Sequence, residues 1–168
     1  MQDELKAIQR RVGTTFIHVT HDQEEAMAVA DSIVVMNAGR IEDRGPPARV
    51  WTDPATLFTA GFMGEVNLID GVGHGDRIAT ALGEIPLTAP VAPVVGPVTL
   101  AIRPEHVAAG GAVDLGEAEV TDAAFFGAHL RARLFAGGRE IIANLPAGAP
   151  PGRVRLSVDP SHIKVFPR

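Results

Sequence analysis

Thr15-Phe16-Ile17-His18-Val19-Thr20-His21-Asp22-Gln23-Glu24-Glu25-Ala26 is the stretch on which the reading of this chain turns. Thr15 to Val19 is a short apolar run with β-branched residues, the pattern of a strand buried on both faces. Thr20-His21-Asp22 reads as a turn and Gln23 to Ala30 as a helix. Asp22 suits a helix N-cap, and Glu25 three residues later completes a capping-box-like pair. A histidine at the tip of a strand, just before a helix, faces the edge of the sheet, where open α/β folds bind ligands. His21 is therefore the leading site candidate.

The flanking segments extend the same pattern. Leu5, Ile8 and Val12 form a helical stripe, which Gly13 ends. Ile33 to Met36 and Arg40 to Asp43 read as a hairpin around Asn37-Ala38-Gly39, with glycine supplying a positive φ. Pro47 and Pro54 each stand where a helix can begin, with Asp53 as the cap of the second. Residues 1–64 thus read as helix, strand, helix, hairpin and two short helices. That order is the tail of an α/β domain and not a complete one.

After Phe62-Met63-Gly64 the pattern changes. Arg77 to Leu82, Val98 to Arg103, His129 to Phe135, Glu140 to Leu145 and Arg153 to Val158 alternate or are short and apolar. Gly- and Pro-containing turns separate them, as in a small all-β barrel. Ala89 to Pro97 is expected as an extended connector, because its prolines cannot donate to a ladder. No long internal repeat is read; Gly71–Leu82 and Phe126–Leu134 share only a strand-like look. The fold class is α+β: a truncated C-terminal piece of an α/β domain in residues 1–64, then a small all-β barrel in residues 65–168.

Composition narrows the functions. The 168 residues include 46% hydrophobic ones, enough to bury a core. A net charge of −5 argues against a general affinity for nucleic acid. There is no cysteine, hence no disulfide framework and no thiolate metal site. No apolar run approaches the ~20 residues that cross a bilayer, and Met1-Gln2-Asp3-Glu4-Leu5-Lys6 is not a signal peptide. A membrane link would come through a partner.

Several pieces fall in register with one known family. They are Val19 to Ala26, Ala30-Asp31-Ser32-Ile33-Val34-Val35-Met36, Gly39-Arg40-Ile41, Gly45-Pro46-Pro47, Asp53-Pro54 and Phe62-Met63-Gly64-Glu65-Val66-Asn67. Together they resemble the switch-histidine region of the ATP-binding-cassette ATPases, in the importer subclass that serves sugars, polyamines, iron or oxyanions. Ala101-Ile102-Arg103-Pro104-Glu105-His106-Val107 resembles a segment of the oligonucleotide-fold-like regulatory domain of that subclass, closer to the polyamine or iron type than to the longer maltose type. The phosphate loop, Walker B acidic pair and signature motif of the family are not in the sequence. The resemblance is to the C-terminal part of such a subunit.

The resemblance implies the chemistry. The histidine matching His21 contacts the γ-phosphate of ATP and helps align the attacking water. The intact subunit uses ATP and Mg²⁺; this chain alone is expected to bind neither and to be inactive. Implied partners are a second copy of the subunit, transmembrane permease subunits and, indirectly, a periplasmic or surface solute-binding protein, with no nucleic acid. The implied location is peripheral, on the cytoplasmic face of the inner or plasma membrane. Arg103, Pro104 and Glu105 either shape the regulatory domain and its dimer contact or form a local salt bridge, worth under about 1 kcal/mol if exposed. The alternative to the importer reading is a free-standing β-barrel module that binds a small oxyanion or regulates a partner.

The remaining residues take plainer roles. Asp22 and Glu25 are a capping pair before they are an acid/base pair. His18 and His21, three apart on a strand, point to opposite faces, so no shared metal is expected and His18 is read as a packing residue. No metal site is assigned. His74, His106, His129 and His162 have no ligand spacing and are read as surface or turn residues. Phe125-Phe126-Gly127 is read as core packing.

Overall fold

The computed structural model describes residues 2–87, 93–108, 111–149 and 152–168. The chain divides into two compact units, Met1–Gly64 and Glu65–Arg168.

The first unit begins with α1 (Gln2–Val12), closed by Gly13 at φ +67° with its N–H on the Gln9 carbonyl at 2.9 Å. The expected strand Thr15–Val19 does not form. The segment is irregular and exposed, with Ile17 and Val19 each 91% accessible. A strand exists only through ladder partners, and none of the described residues pairs with this one. Then follow α2 (Gln23–Val29), the antiparallel hairpin β1 (Ile33–Asn37) and β2 (Arg40–Gly45), α3 (Pro47–Thr52) and α4 (Leu57–Phe62). Ile33, Val35, Val50 and Met63 make a small core, flanked by Ala26, Met27, Trp51 and Phe58. The second proline-led helix starts later than its sequence suggests. Thr56, not Asp53, is the N-cap of α4, accepting from the Thr59 N–H at 3.1 Å; Asp53 instead ends α3.

The hairpin turn places Ala38 at φ +45° and Gly39 at φ +77°. Two positive φ angles suit a two-residue turn matching strand twist, and only Gly39 takes its angle freely. Ala38→Gly is expected to raise stability by about 0.5 kcal/mol, read as a shift in denaturant midpoint. An unchanged or lower midpoint would show that the turn is not strained.

Asp43 of β2 organises the segment that follows. Its buried carboxylate accepts from the N–H groups of Arg44 and Ala55, each at 2.7 Å, and pairs with Arg49. Burial alone would push this carboxyl up, but the hydrogen bonds from Arg49, Ala55 and Arg44 outweigh it and hold it below the usual range. A depressed folded value means stability that is full above the unfolded value, about 3.9, and lost as pH falls through the folded one. Asp43→Ala is expected to cost about 2–3 kcal/mol at neutral pH by stranding the Ala55 N–H and Arg49. Denaturant unfolding at pH 7 and pH 3 checks both parts: the gap between wild type and variant should narrow in acid.

The second unit is all β, as the sequence indicates, but it is built twice. Its first half runs β3 (Asn67–Gly75), β4 (Arg77–Thr80), β5 (Gly83–Pro86), β6 (Val94–Ile102), a 3-10 turn (Pro104–His106) and β7 (Val107–Ala108). The second runs β8 (Val113–Phe125), β9 (His129–Ala136), β10 (Arg139–Pro146), β11 (Arg153–Val158), a 3-10 turn (Pro160–His162) and β12 (Lys164–Pro167). One five-stranded sheet has the order β12-β6-β3-β4-β5, the other β7-β11-β8-β9-β10. Element for element these orders are the same, with the last strand of each half exchanged into the other's sheet. The registers agree: Ala101 faces Lys164 across β6 and β12, and Ser157 faces Ala108 across β11 and β7. The absence of a long repeat, read from the sequence, is thereby corrected. Lengths and side chains of the halves have diverged while the topology has not.

The two curled sheets enclose one core, including Ile69, Ile78, Leu100, Leu134, Ile141 and Leu156. Asn67 ties the sheets together at an edge. Its side-chain amide donates to the Ile142 carbonyl and accepts from the Ile142 N–H, both at 2.8 Å, imitating a ladder rung between β3 and β10. The expected connector over Ala89–Pro97 is corrected where it is described: Val94–Pro97 begins β6 and pairs with β3. Pro97 is tolerated because its carbonyl turns toward the β12 side, taking the Arg168 N–H at 3.1 Å. The donor that proline lacks would point the same way, off the β3 ladder. Residues 89–92 of that connector lie outside the described residues.

Candidate functional site

The loop before α2 is built by local hydrogen bonds. Asp22 caps α2, its Oδ1 accepting from the Glu25 N–H at 3.0 Å. The reciprocal half of the box goes through a neighbour. Thr20 Oγ1 takes the Asp22 N–H at 3.0 Å and donates to Glu25 Oε2 at 2.8 Å. His18 Nε2 lies 3.3 Å from the same carboxylate oxygen. These bonds, from Thr20 first and then His18, hold the Glu25 carboxyl below its ordinary value. His18 is thus exposed and polar in its contacts, correcting its reading as a packing residue, because the strand meant to bury it is not formed.

His21 stands at the crest of this loop, exposed and hydrogen-bonded to no described residue. The expected position at a strand tip is not found, since residues 14–20 are irregular. The frame that aims the ring is the Thr20–Asp22–Glu25 triangle. One imidazole offers one N–H donor to a phosphate oxygen. A triphosphate needs a cradle of backbone amides and a cation, and the sequence has no Gly-rich loop ending in Gly-Lys. Among the described residues no group of three or more His, Cys, Asp or Glu could hold a metal.

The second candidate cluster lies in the all-β unit. Arg103 is buried at the end of β6 and donates to the Glu65 carbonyl at 3.3 Å; Pro104 is buried at the start of the 3-10 turn, and Glu105 is exposed. Burial lowers the basicity of Arg103, with Glu105 opposing it. Glu65 also forms a bidentate pair with Arg131 of β9. These residues anchor the entry of the chain into the unit.

A feature missed in the sequence sits beside them. His106 and His162, the third residues of the two equivalent 3-10 turns, stack face to face with centroids 3.7 Å apart and planes within 4°. The signal was present: Leu100-Ala101-Ile102-Arg103-Pro104-Glu105-His106-Val107 echoes Leu156-Ser157-Val158-Asp159-Pro160-Ser161-His162-Ile163. Phe125 and Phe126, by contrast, are not core. They are 68% and 58% exposed on the β8–β9 hairpin, where Phe126 stacks on His129. The last residues of β8, from Thr121 on, are exposed on both faces, so the hairpin end has no core to enter.

Residues 100–166 match the TOBE domain, a span that opens in β6, closes in β12 and contains both 3-10 turns. The chain is 39% identical over 171 residues to a sulfate/thiosulfate import ATP-binding protein of Chromobacterium violaceum, covering 99% of this chain and 44% of that one. It is 40% identical over 173 residues to an sn-glycerol-3-phosphate import ATP-binding protein of Cereibacter sphaeroides, covering 99% and 49%. It is 34% identical over 169 residues to a spermidine/putrescine import ATP-binding protein of Acetivibrio thermocellus, covering 99% and 48%. The chain spans about half the length of these relatives. Along nearly its whole length, then, the chain is homologous to the C-terminal part of the ATP-binding subunits of ATP-binding-cassette importers, and it carries a TOBE domain at residues 100–166.

Proposed function

We propose that this chain serves as the C-terminal portion of the ATP-hydrolysing subunit of an importer, coupling ATP hydrolysis to solute uptake in the intact complex. The observation that carries the reading is the homology to three import ATP-binding proteins over 99% of the chain. Residues 1–64 are the end of the nucleotide-binding domain and residues 65–168 the regulatory domain. His21 is the switch histidine, facing the γ-phosphate of ATP bound with Mg²⁺ by the rest of the subunit. Its exposed ring on a capped helix start suits that role. Arg103, Pro104 and Glu105 set the shape of the regulatory domain.

In this reading the exposed apolar run Phe16-Ile17-His18-Val19 is a strand in waiting. Exposed Val34, Met36 and Ile41 lie on one side of the β1–β2 hairpin. Apolar surfaces of this kind are covered by a partner, here the remainder of the nucleotide-binding domain. Two copies of the subunit act together, with transmembrane permease subunits as direct partners and a solute-binding protein as an indirect one. The subunit sits peripherally on the cytoplasmic face through those permeases; among the described residues no helix is long and apolar enough to cross a membrane. The transported solutes of the relatives differ, and substrate choice is assigned to the partners.

Affinity purification of the intact subunit from detergent-solubilised membranes tests the assembly. It is expected to elute with integral membrane subunits in stoichiometric amount. Recovery from the soluble fraction alone, with no membrane partner after crosslinking, would refute the reading.

A further inference from the structure

We propose that His106 and His162, one from each half of the duplicated unit, form a proton-sensitive latch that is closed while at most one ring is charged and loosened when both are. The inference is independent of the import role. It rests on position first. The two turns are equivalent by topology, each links a strand of one sheet to a strand of the other, and the rings meet where the halves exchange strands. Anything that drives the rings apart therefore acts on both crossovers at once.

The geometry makes the contact sensitive to charge. Parallel rings 3.7 Å apart are in van der Waals contact while neutral. Two imidazolium ions at that separation repel, and the turns that carry them are held by two backbone bonds each: on the first, His106 N–H to the Arg103 carbonyl at 3.0 Å and Val107 N–H to the Pro104 carbonyl; on the second, His162 N–H to the Asp159 carbonyl at 3.0 Å and Ile163 N–H to the Pro160 carbonyl at 3.2 Å. The surrounding charges act in both directions. On the first turn Glu105 favours a charged His106, while Arg103 disfavours it. On the second, Asp159, which also accepts from the N–H and hydroxyl of Ser161, is close enough to attract a charged His162. Of the charged residues on β10, which packs against the first turn, Arg139 donates to the Leu68 carbonyl and Glu140 lies by Arg133. Lys164 opens β12, two residues after His162.

The proton affinity of His106 agrees in direction. Burial, then His162, then Arg103 push it below the ordinary histidine value, and Glu105 opposes them. A depressed folded value gives stability that is complete above the unfolded value, about 6.5, and is lost as pH falls through the folded one. Mild acid is thus where the latch yields.

Ring titrations by NMR on the full chain test this, in wild type, His162→Phe and His162→Gln. Phenylalanine keeps a flat ring without the charge; glutamine removes the ring and serves if the phenylalanine variant does not fold. In wild type the His106 midpoint is expected below the ordinary histidine value, about 6.5. In either variant it should rise by about one pH unit, a tenfold gain in proton affinity. Amide protection at Val107 and Ile163 should fall about tenfold between pH 7 and pH 5 in wild type and stay level in His162→Phe. A His106 midpoint that does not move in the folded variants, or equal loss of protection with and without His162, would overturn the proposal.

Discussion

His21→Ala in the intact subunit is expected to lower ATP turnover by roughly 10²–10³-fold, the usual effect of removing one positioned group that meets developing charge. Nucleotide binding should be spared. Affinity for ATP comes mainly from the phosphate loop, whose amides and lysine are supplied by other parts of the subunit. Phosphoryl transfer is mostly positioning and charge stabilisation, so a histidine aligning the attacking water acts near the transition state. Nor should the fold suffer, because His21 is exposed and its frame of Thr20, Asp22 and Glu25 does not use the ring. Steady-state phosphate release and equilibrium nucleotide binding, measured on the same preparations, separate the two effects. A variant that binds ATP much more weakly yet turns over normally at saturation would remove His21 from the assigned role.

Gly137→Ala is expected to be the most damaging small substitution in the all-β unit. Gly137 opens the β9–β10 turn at φ +54°, and an added Cβ would lie 2.8 Å from the Ala81 carbonyl carbon and 2.9 Å from Leu82 Cδ2. Ala81-Leu82 is the β4–β5 turn, the equivalent turn of the other half. The close approach is therefore another place where the two halves meet. A left-handed alanine costs about 1 kcal/mol, and forcing a methyl against backbone adds about 1–3 kcal/mol. The melting temperature should fall by about 10 °C. Gly138→Ala is the control: at φ +79° it bears the conformational cost but has open space for a Cβ. Equal losses in the two variants would mean that the turns do not press on each other.

How much of this was legible depends on where the information lies. Local rules read well. Gly13 ends α1, Asp22 caps α2 and Gly39 turns the hairpin because each acts through its own φ or its own side chain. Tertiary rules did not. Thr15–Val19 has the composition of a buried strand, but a strand is a property of a sheet, and its ladder partners are not among the described residues. Gly71 and Gly73 lie inside β3, and nothing in the sequence shows why they are glycines. A Cβ on Gly71 would come within 2.8 Å of the Ala79 oxygen, and one on Gly73 within 2.8 Å of the Val94 carbonyl carbon. They are glycines because neighbouring strands approach closely. Pro97 likewise passes for a breaker until its free side is known.

The candidate site divides the same way. His21 was legible from its motif, while the reason its loop holds shape, Thr20 bridging the Asp22 N–H and the Glu25 carboxylate, needed coordinates. The His106–His162 stack was hidden because two short echoing segments mean little until topology makes them equivalent.

The central claim is that this chain works as one part of a nucleotide-binding subunit. It is tested most directly by recovering the natural protein that carries these residues and measuring its intact mass, together with the DNA reading frame upstream of the Met1 codon. The expected mass is about twice the 17.6 kDa of this chain, given the share of the relatives that it covers, and the upstream frame should encode a Gly-rich phosphate loop and a signature motif. A natural protein of 17.6 kDa, with a stop codon close upstream, would contradict the account and favour a free-standing module.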